Sequence, residues 1–326
     1  MGTTGERFEK FFLPGLIFVF LFSFPVAAPG QAYPNKPITV YCGFAPGATT
    51  DLTTRALAAG MEKHLGVPVI VENKPGAGAT VAPALLAKQK PDGYTLTVTT
   101  SGALIKLPHL YKLGYDPLKD FTYLVYYSRY IGGLCVNGDS PFKTIHEFIA
   151  YAKEHPGLSY GSSGTYTQQQ MSVEFLAKCK GLTFKHVSTK GGQEFNTLLL
   201  GRHTDFVAGS GSHIPYVKQG VFRMLLVFNQ DERDPNYPDI PTLKELGCED
   251  CAPGYYVVLG PKGMPPAISK MLVDTFKKVT EGPDFQKVLA NHNVPYDFKG
   301  QAKLEKDIPA QYEWWKNYFR ETGALK

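Results

Sequence analysis

The chain has 326 residues, 43% of them hydrophobic and 19% charged, with 33 Gly, 25 Pro and a formal net charge of +5. That length suits two domains with a sizeable buried core. The ordinary charged fraction and the lack of low-complexity tracts exclude disorder, collagen-like repeats and a disulfide miniprotein. Basic residues are scattered, and the aromatics (13%) are spread through predicted strands, so no nucleic-acid surface is expected.

Residues 1–12 set Arg7 and Lys10 against Glu6 and Glu9, so with the free amine they are weakly positive. Leu13–Ala28 is apolar but cut by Pro25, too short for the about 20 residues a bilayer-spanning helix needs. Gly30-Gln31-Ala32 offers small residues at the −3 and −1 positions, so 1–32 is predicted to be a signal peptide and the protein periplasmic. A single N-terminal anchor is the alternative. The leader removes two basic and two acidic residues, leaving +5. No later segment approaches a membrane span.

Strands and helices then alternate. Ile38–Cys42 reads as a strand, followed by the loop Gly43–Asp51 and a helix to Leu65 closed by Gly66. Thr49 or Thr50 is the expected cap of that helix, with Asp51 in its first turn. Val67–Glu72 is a strand, Asn73–Gly78 a Gly-rich loop, and a helix runs through Lys88. Pro91-Asp92-Gly93 turns the chain into the strand Tyr94–Thr100. Phe121–Val136 reads as one extended, aromatic stretch. Thr144 and Glu147 form a capping box for a helix stopping before Pro156-Gly157. Leu158–Tyr160 is a strand, Gly161–Thr167 a loop of small residues, and Gln168–Lys180 a helix ended by Gly181. A strand at Thr183–Val187 leads to a loop and helix over Gly191–Gly201, and Asp205–Ala208, Ile214–Gln219 and Arg223–Phe228 continue the pattern. Such alternation argues an α/β chain with largely parallel sheets.

Among five cysteines, Cys42, Cys135 and Cys179 stand singly and are expected to be buried thiols. Cys248 and Cys251 form a C-x-x-C in a loop. No second ligand pair supports zinc, and no preceding strand supports a redox motif, so a local disulfide or inert thiols are expected.

Three segments share one design: Phe44–Asp51, Gly161–Thr167 and Ser188–Gln193 each follow a strand, contain Gly, Ser or Thr, and open a helix. A helix N-terminus offers unpaired N–H groups and the positive end of a dipole, which hold an anion without arginine. In open α/β sheets such loops converge at the carboxyl ends of strands. A small anion clamped between two lobes follows. Enzyme signatures are missing. Gly76-Ala77-Gly78 fails the last position of GxGxxG, no P-loop or HExxH occurs, and Gly161-Ser162-Ser163-Gly164 is not a nucleophile elbow. Ser210 and His213 are near in sequence, but no carboxylate partner can be assigned to them. Neither catalytic residues, a metal nor a cofactor is expected.

The segment from Tyr33 to Thr80, with its Gly43–Asp51 loop and Val71-Glu72-Asn73-Lys74-Pro75-Gly76-Ala77-Gly78 stretch, resembles the solute-binding proteins of tripartite tricarboxylate transporters, the Bug family. Pro91–Leu96, Leu113–Phe121, Lys190-Gly191-Gly192, Leu198–Phe206, Pro238–Thr242 and Glu245-Leu246-Gly247 continue the resemblance in order over nearly the whole mature chain. It implies a type II periplasmic-binding-protein-like fold of two lobes, each a mixed sheet flanked by helices, with the ligand cleft between them. The implied lobes are 33–133 with 256–326, and 134–255. The implied ligand is a small carboxylate held mainly by main-chain groups. Carried over by position, the binding residues are Phe44, Pro46, Gly47, Ala48, Thr49, Asp51, Ser101, Ser162, Ser163, Gly164, Thr165, Lys190, Gly191 and Asp205. Ala48 stands where the family usually has a second Gly. Asp51 and Asp205 are open to a structural role, and Lys190 to an ordinary solvated one. Phe44, Tyr130 and Tyr166 would suit an aromatic or longer acid, or simply pack. Trp314 and Trp315 are expected away from the cleft. The implied partners are the large and small membrane subunits of the transporter, with the receptor itself a monomer. A periplasmic sensor docking on a histidine kinase and a secreted enzyme are the alternatives.

Overall fold

The computed structural model describes residues 1–5, 33–130, 132–228, 233–234, 236–248 and 254–325. The expected signal peptide therefore lies, from residue 6 to 32, outside the described residues, as does Cys251. From Tyr33 the chain forms one compact unit, built in the order β1 (Ile38–Cys42), α1 (Thr49–Leu65), β2 (Val69–Asn73), α2 (Val81–Leu86), β3 (Thr95–Thr100), α3 (Ser101–Ile105), α4 (Leu107–Leu110), β4 (Phe121–Tyr130), β5 (Gly132–Asn137), α5 (Ile145–Glu154), β6 (Leu158–Ser162), α6 (Gln168–Lys180), β7 (Phe184–Ser188), α7 (Gly192–Leu200), β8 (Phe206–Gly209), α8 (Ile214–Lys218), β9 (Phe222–Phe228), β10 (Gly254–Pro261), α9 (Pro266–Glu281), α10 (Pro283–Asn291), β11 (Tyr296–Gly300) and α11 (Gln301–Glu321).

Two mixed sheets flanked by helices make a two-lobed α/β fold. The first sheet has the order β11-β4-β10-β3-β1-β2 and the second β7-β6-β8-β5-β9. Within them β1 pairs in parallel with β2 and β3, and β6 with β7 and β8, as strand–helix–strand crossovers require. The largely parallel expectation fails at the strands that carry the chain between lobes. Strand β10 runs antiparallel to β3 and β4, β11 antiparallel to β4, and β5 antiparallel to β8 and β9. The extended stretch Phe121–Val136 is accordingly two strands, β4 in the first sheet and β5 in the second.

Each sheet buries its apolar face against helices. In the first lobe Ile38, Val40, Leu57, Met61, Val98 and Phe276 belong to one core. Gly60 lets α1 approach α9, since a Cβ there would come within 2.4 Å of Val279 Cγ1. The Thr-rich first half of α1 is buried too, and the hydroxyls of Thr53 and Thr54 bond back to the Thr50 carbonyl. In the second lobe the core is aromatic: Phe206 packs on Phe148, Tyr160 and Phe184. The capping box at α5 forms as expected, with Thr144 accepting from the Glu147 N–H.

Two expectations are corrected. Thr49 and Thr50 do not cap α1; they are its first two residues, and Ala48 is the N-cap, without any side-chain cap. Cys179 is not a lone thiol. It forms a disulfide with Cys248 across 69 residues, tying the end of α6 to the segment after β9. A C-x-x-C spacing reveals nothing about such a distant partner, because only the fold brings the two Cα atoms to 5.6 Å. Cys42 and Cys135 are buried and free. Burial pushes the Cys42 thiol up to about 11 and that of Cys135 up as well.

Candidate functional site

Three helix N-termini converge on one cavity, and none carries a side-chain cap. The N-cap of α1 is Ala48, that of α6 is Thr167 and that of α7 is Gly191. Small residues explain the open ends: Ala and Gly have no acceptor, and the Thr167 hydroxyl turns away to donate to the Gly164 carbonyl. Their first-turn groups, at Ala48, Thr49 and Thr50 from α1, Thr167, Gln168 and Gln169 from α6, and Gly192 from α7, line the cavity. Phe44, Gly78, Thr100, Gly102, Ser163, Tyr166, Ser210, Ser212 and Tyr256 complete the walls. The Thr49 hydroxyl is buried there with no hydrogen-bond partner.

The lobes meet closely around this space. The Ala45 N–H donates to the Lys190 carbonyl at 3.4 Å. A Cβ on Gly191 would lie 3.2 Å from Ala48 Cβ, and one on Gly47 (φ +78°) would lie 2.7 Å from Gln193 Cγ. The space open to a water-sized sphere is about 20 Å³, on the scale of a single water, too small for an organic ligand in this arrangement of the lobes. A second, more open groove of about 550 Å³ adjoins it, sharing Phe44, Gly78 and Ser163 and adding Gly164, Thr165, Tyr111, Lys112 and Lys190.

Of the residues carried over by resemblance, Phe44, Ala48, Thr49 and Ser163 line the inner cavity. Phe44, Ser163, Gly164, Thr165 and Lys190 line the outer groove. Gly47 and Gly191 lie at the lobe contact just described. Ser101 is buried, its hydroxyl accepting from the Tyr255 N–H at 3.3 Å. Ser162 is buried against His186, 2.7 Å from its Nε2. Pro46 faces solvent. Asp51 is buried, and its carboxylate accepts from the Gly47 N–H, Asn73 Nδ2 and Arg55 Nε. Asn73 also donates to the Phe44 carbonyl, so Asp51 and Asn73 together shape the loop. Asp205 is exposed at the start of β8, where it accepts from the N–H and hydroxyl of Ser159. Tyr166 reaches the inner cavity, while the Tyr130 side chain is outside what the structure describes.

Other lining residues are not among the predicted ones. Gln168 and Gln169 begin the helix one position past the predicted loop. Ser210 and Ser212 belong to a fourth Gly/Ser segment after a strand, legible as such but read only for triad chemistry. Beneath them His213 is buried, with Nδ1 accepting from the Gly211 N–H at 3.3 Å and Nε2 unpartnered. Burial, assisted by His292, pushes its pKa down to about 3, so the ring is neutral near pH 7. Trp315, expected far from the cleft, packs its ring 5.1 Å from the ammonium of Lys106.

Two α/β lobes closing on a polar cavity edged by open helix ends define the class of two-lobed solute-binding proteins. Residues 53–323 match the tripartite tricarboxylate transporter family receptor domain, and the chain belongs to that family. The family is one of substrate-binding receptors, and the chain is a receptor and not an enzyme. It is 39% identical over 283 residues to the UPF0065 protein in the gbd 5′ region of Cupriavidus necator, covering 86% of each chain. The periplasmic binding protein BugD superposes with a TM-score of 0.84 at 26% identity, over 90% of this chain and 100% of that one. MatC of Rhodopseudomonas palustris with bound malate has a TM-score of 0.79 at 25% identity, over 87% of this chain and 99% of MatC. An R. palustris protein with adipate has a TM-score of 0.82 at 25% identity, over 89% and 98%.

Proposed function

We propose that this protein is a periplasmic receptor that captures a small carboxylate between its lobes and delivers it to the large and small membrane subunits of a tripartite tricarboxylate-type secondary transporter. The single observation that carries the reading is the convergence of three uncapped helix N-termini, with the unpartnered Thr49 hydroxyl, on one small cavity. Unpaired N–H groups and aligned dipoles favour an anion there. Malate in MatC and adipate in its R. palustris counterpart are carboxylates bound on the same fold. The lobes are residues 33–133 with 256–326, and 134–255, and residues 1–32 are the export signal. Phe44, Ala48, Thr49 and Ser163 contact the acid. Gly47 and Gly191 permit closure, and Asp51 holds the first loop in shape. A ligand touching both lobes favours the closed form by its differential affinity, and the membrane subunits recognise that form.

A thermal-shift screen against mono-, di- and tricarboxylates, acidic amino acids and aromatic acids tests this. An acid at about 100 times its Kd adds about 2.7 kcal/mol and raises Tm visibly. In Gly47→Val the side chain meets Gln193, and the shift is expected to vanish; Gln193→Ala in the same chain is expected to restore part of it. Shifts from uncharged compounds alone would overturn the reading.

A further inference from the structure

Away from the seam between the lobes, a groove of about 570 Å³ runs between α9 and α11. Its floor is the start of β4, at Phe121, Thr122 and Tyr123. One wall is a single face of α9, where Pro266, Ser269, Lys270 and Val273 recur at helical spacing. The other is a single face of α11, with Gln301, Glu305 and Pro309. Strand register puts this groove at the end of the first sheet remote from the inner cavity. Tyr256 pairs with Thr100, and both line that cavity. Pro261 pairs with Phe121, about 16 Å further along β10. The groove shares no lining residue with the cavity or with the outer groove beside it.

Ser269, in the middle of the α9 face, is 3% exposed, and its hydroxyl is buried without a hydrogen-bond partner. A buried polar group left unpaired is costly, and a ligand atom that pairs with it recovers that cost. The helix also opens without a side-chain cap, at Pro265 and Pro266, so its positive dipole end is unopposed there. Lys262 stands exposed at the rim, its main-chain N–H tied to the Asp120 carbonyl at 3.0 Å. The Lys270 ammonium is engaged by Asp274 at 2.6 Å, and the Glu305 carboxylate on the facing wall by the Gln301 amide at 2.8 Å. Phe121, Met264 and Val273 make the groove apolar between these walls. Positive charge is thus gathered on the α9 side of an apolar trough.

We propose that this groove is a second ligand site, separate from the space between the lobes, and that it takes an amphiphilic monocarboxylate. The head group sits among Lys262, the Ser269 hydroxyl and the open end of α9. The aliphatic chain lies along Phe121, Met264 and Val273. Glu305 repels a further negative charge on the α11 side, so one carboxylate at one end of the chain is the pattern that fits. The volume is that of a small organic molecule. With no residue in common, the site stands independently of the receptor reading above.

The test is NMR titration of the protein, carrying isotope-labelled methionine methyl groups, with octanoate, butyrate and octylammonium. The Met264 methyl, assigned through Met264→Leu, reports on the groove. Octanoate is expected to shift it saturably and to bind several-fold tighter than butyrate, since the longer chain buries more apolar surface. Octylammonium, with the same chain and the opposite charge, is expected to leave it unsaturated. The octanoate response is expected to persist in Gly47→Val, where the space between the lobes is obstructed. Lys262→Glu, at an exposed position, is expected to weaken octanoate about five-fold, and Ser269→Ala to weaken it as well. Lys262→Glu serves if Ser269→Ala does not fold. A Met264 signal unmoved at about 10 mM octanoate, where even a Kd near 1 mM would saturate it, overturns the proposal. So do an equal response to octylammonium, loss of the response in Gly47→Val, or unchanged affinity in folded Lys262→Glu.

Discussion

Asp51 places a negative charge two residues into α1, beside a cavity edged by helix N-termini, yet its carboxylate is wholly engaged with Gly47, Asn73 and Arg55. The ion pair with Arg55, at 3.0 Å, offsets the charge locally. The carboxylate shapes the loop and leaves the next N–H groups, at Thr49 and Thr50, on the cavity wall. His213 works in the opposite sense, as a buried group whose neutral form the fold requires. Its folded pKa of about 3 lies below the ordinary value near 6.5. Between those pH values the unfolded chain binds the proton and the folded chain does not, so stability rises with pH and is lost as pH falls from about 6.5 toward 3. The slope for one such group is at most about 1.4 kcal/mol per pH unit. Burial also lowers His109, His186 and His292, which act in the same direction. Urea unfolding at pH 7 and pH 5 is expected to show a clear loss for wild type and a smaller one for His213→Gln. Equal losses would show that His213 is not the titrating group.

Elements were legible wherever a boundary depends on local chemistry. The capping box of α5, the αL glycines Gly66 and Gly181 closing α1 and α6, and the strand–loop–helix order around the cavity all follow from adjacent residues. The start of α1 lies one residue earlier than a threonine cap would put it: Ala48 is the N-cap, and both threonines stand buried in the first turn on the cavity wall. The α6–β9 connection is a case of information missing from the local sequence. The Cys179–Cys248 bond closes a 69-residue loop, and loop-closure entropy gives such a link about 4 kcal/mol. Cys179→Ser is expected to lower unfolding free energy by about that amount in denaturant titration under non-reducing conditions, with reduced wild type matching it. A variant as stable as oxidised wild type would show that the link contributes nothing.

At the scale of the whole molecule, the proposed capture requires the two lobes to separate, since their contact leaves room for only about 20 Å³ between them. The seam is made of small residues, Gly47, Ala48, Gly78, Gly164 and Gly191, several in near-van der Waals contact across it. Bulk there would hold the lobes apart, and a crosslink would hold them shut. Ala48→Cys with Gly191→Cys places two Cβ atoms 3.2 Å apart, a few tenths of an ångström closer than the about 3.5–4.5 Å of a disulfide, a gap that a small backbone shift makes up. Mild oxidation is expected to form that bond and block uptake of any acid the wild type binds, and reduction to restore it. Undiminished uptake by the fully crosslinked protein would mean that ligand enters without the lobes parting.

The family resemblance, the strand–helix alternation, the three Gly/Ser/Thr helix entries and the lack of enzyme signatures all reside in short contiguous segments, so the sequence by itself determined the fold class and the kind of chemistry the loops offer. What depends on residues distant along the chain was decided by tertiary structure alone. The antiparallel β10 lies between β3 and β4 although residue 254 follows them by more than a hundred positions. Cys179 finds Cys248, and Lys106 finds Gln168 and Trp315. A lysine in a sequence is usually a solvated one. Only the packing of α11 against α3 and the hydrogen bond from α6 bury this one, because desolvation and pairing are properties of the surroundings and not of the residue.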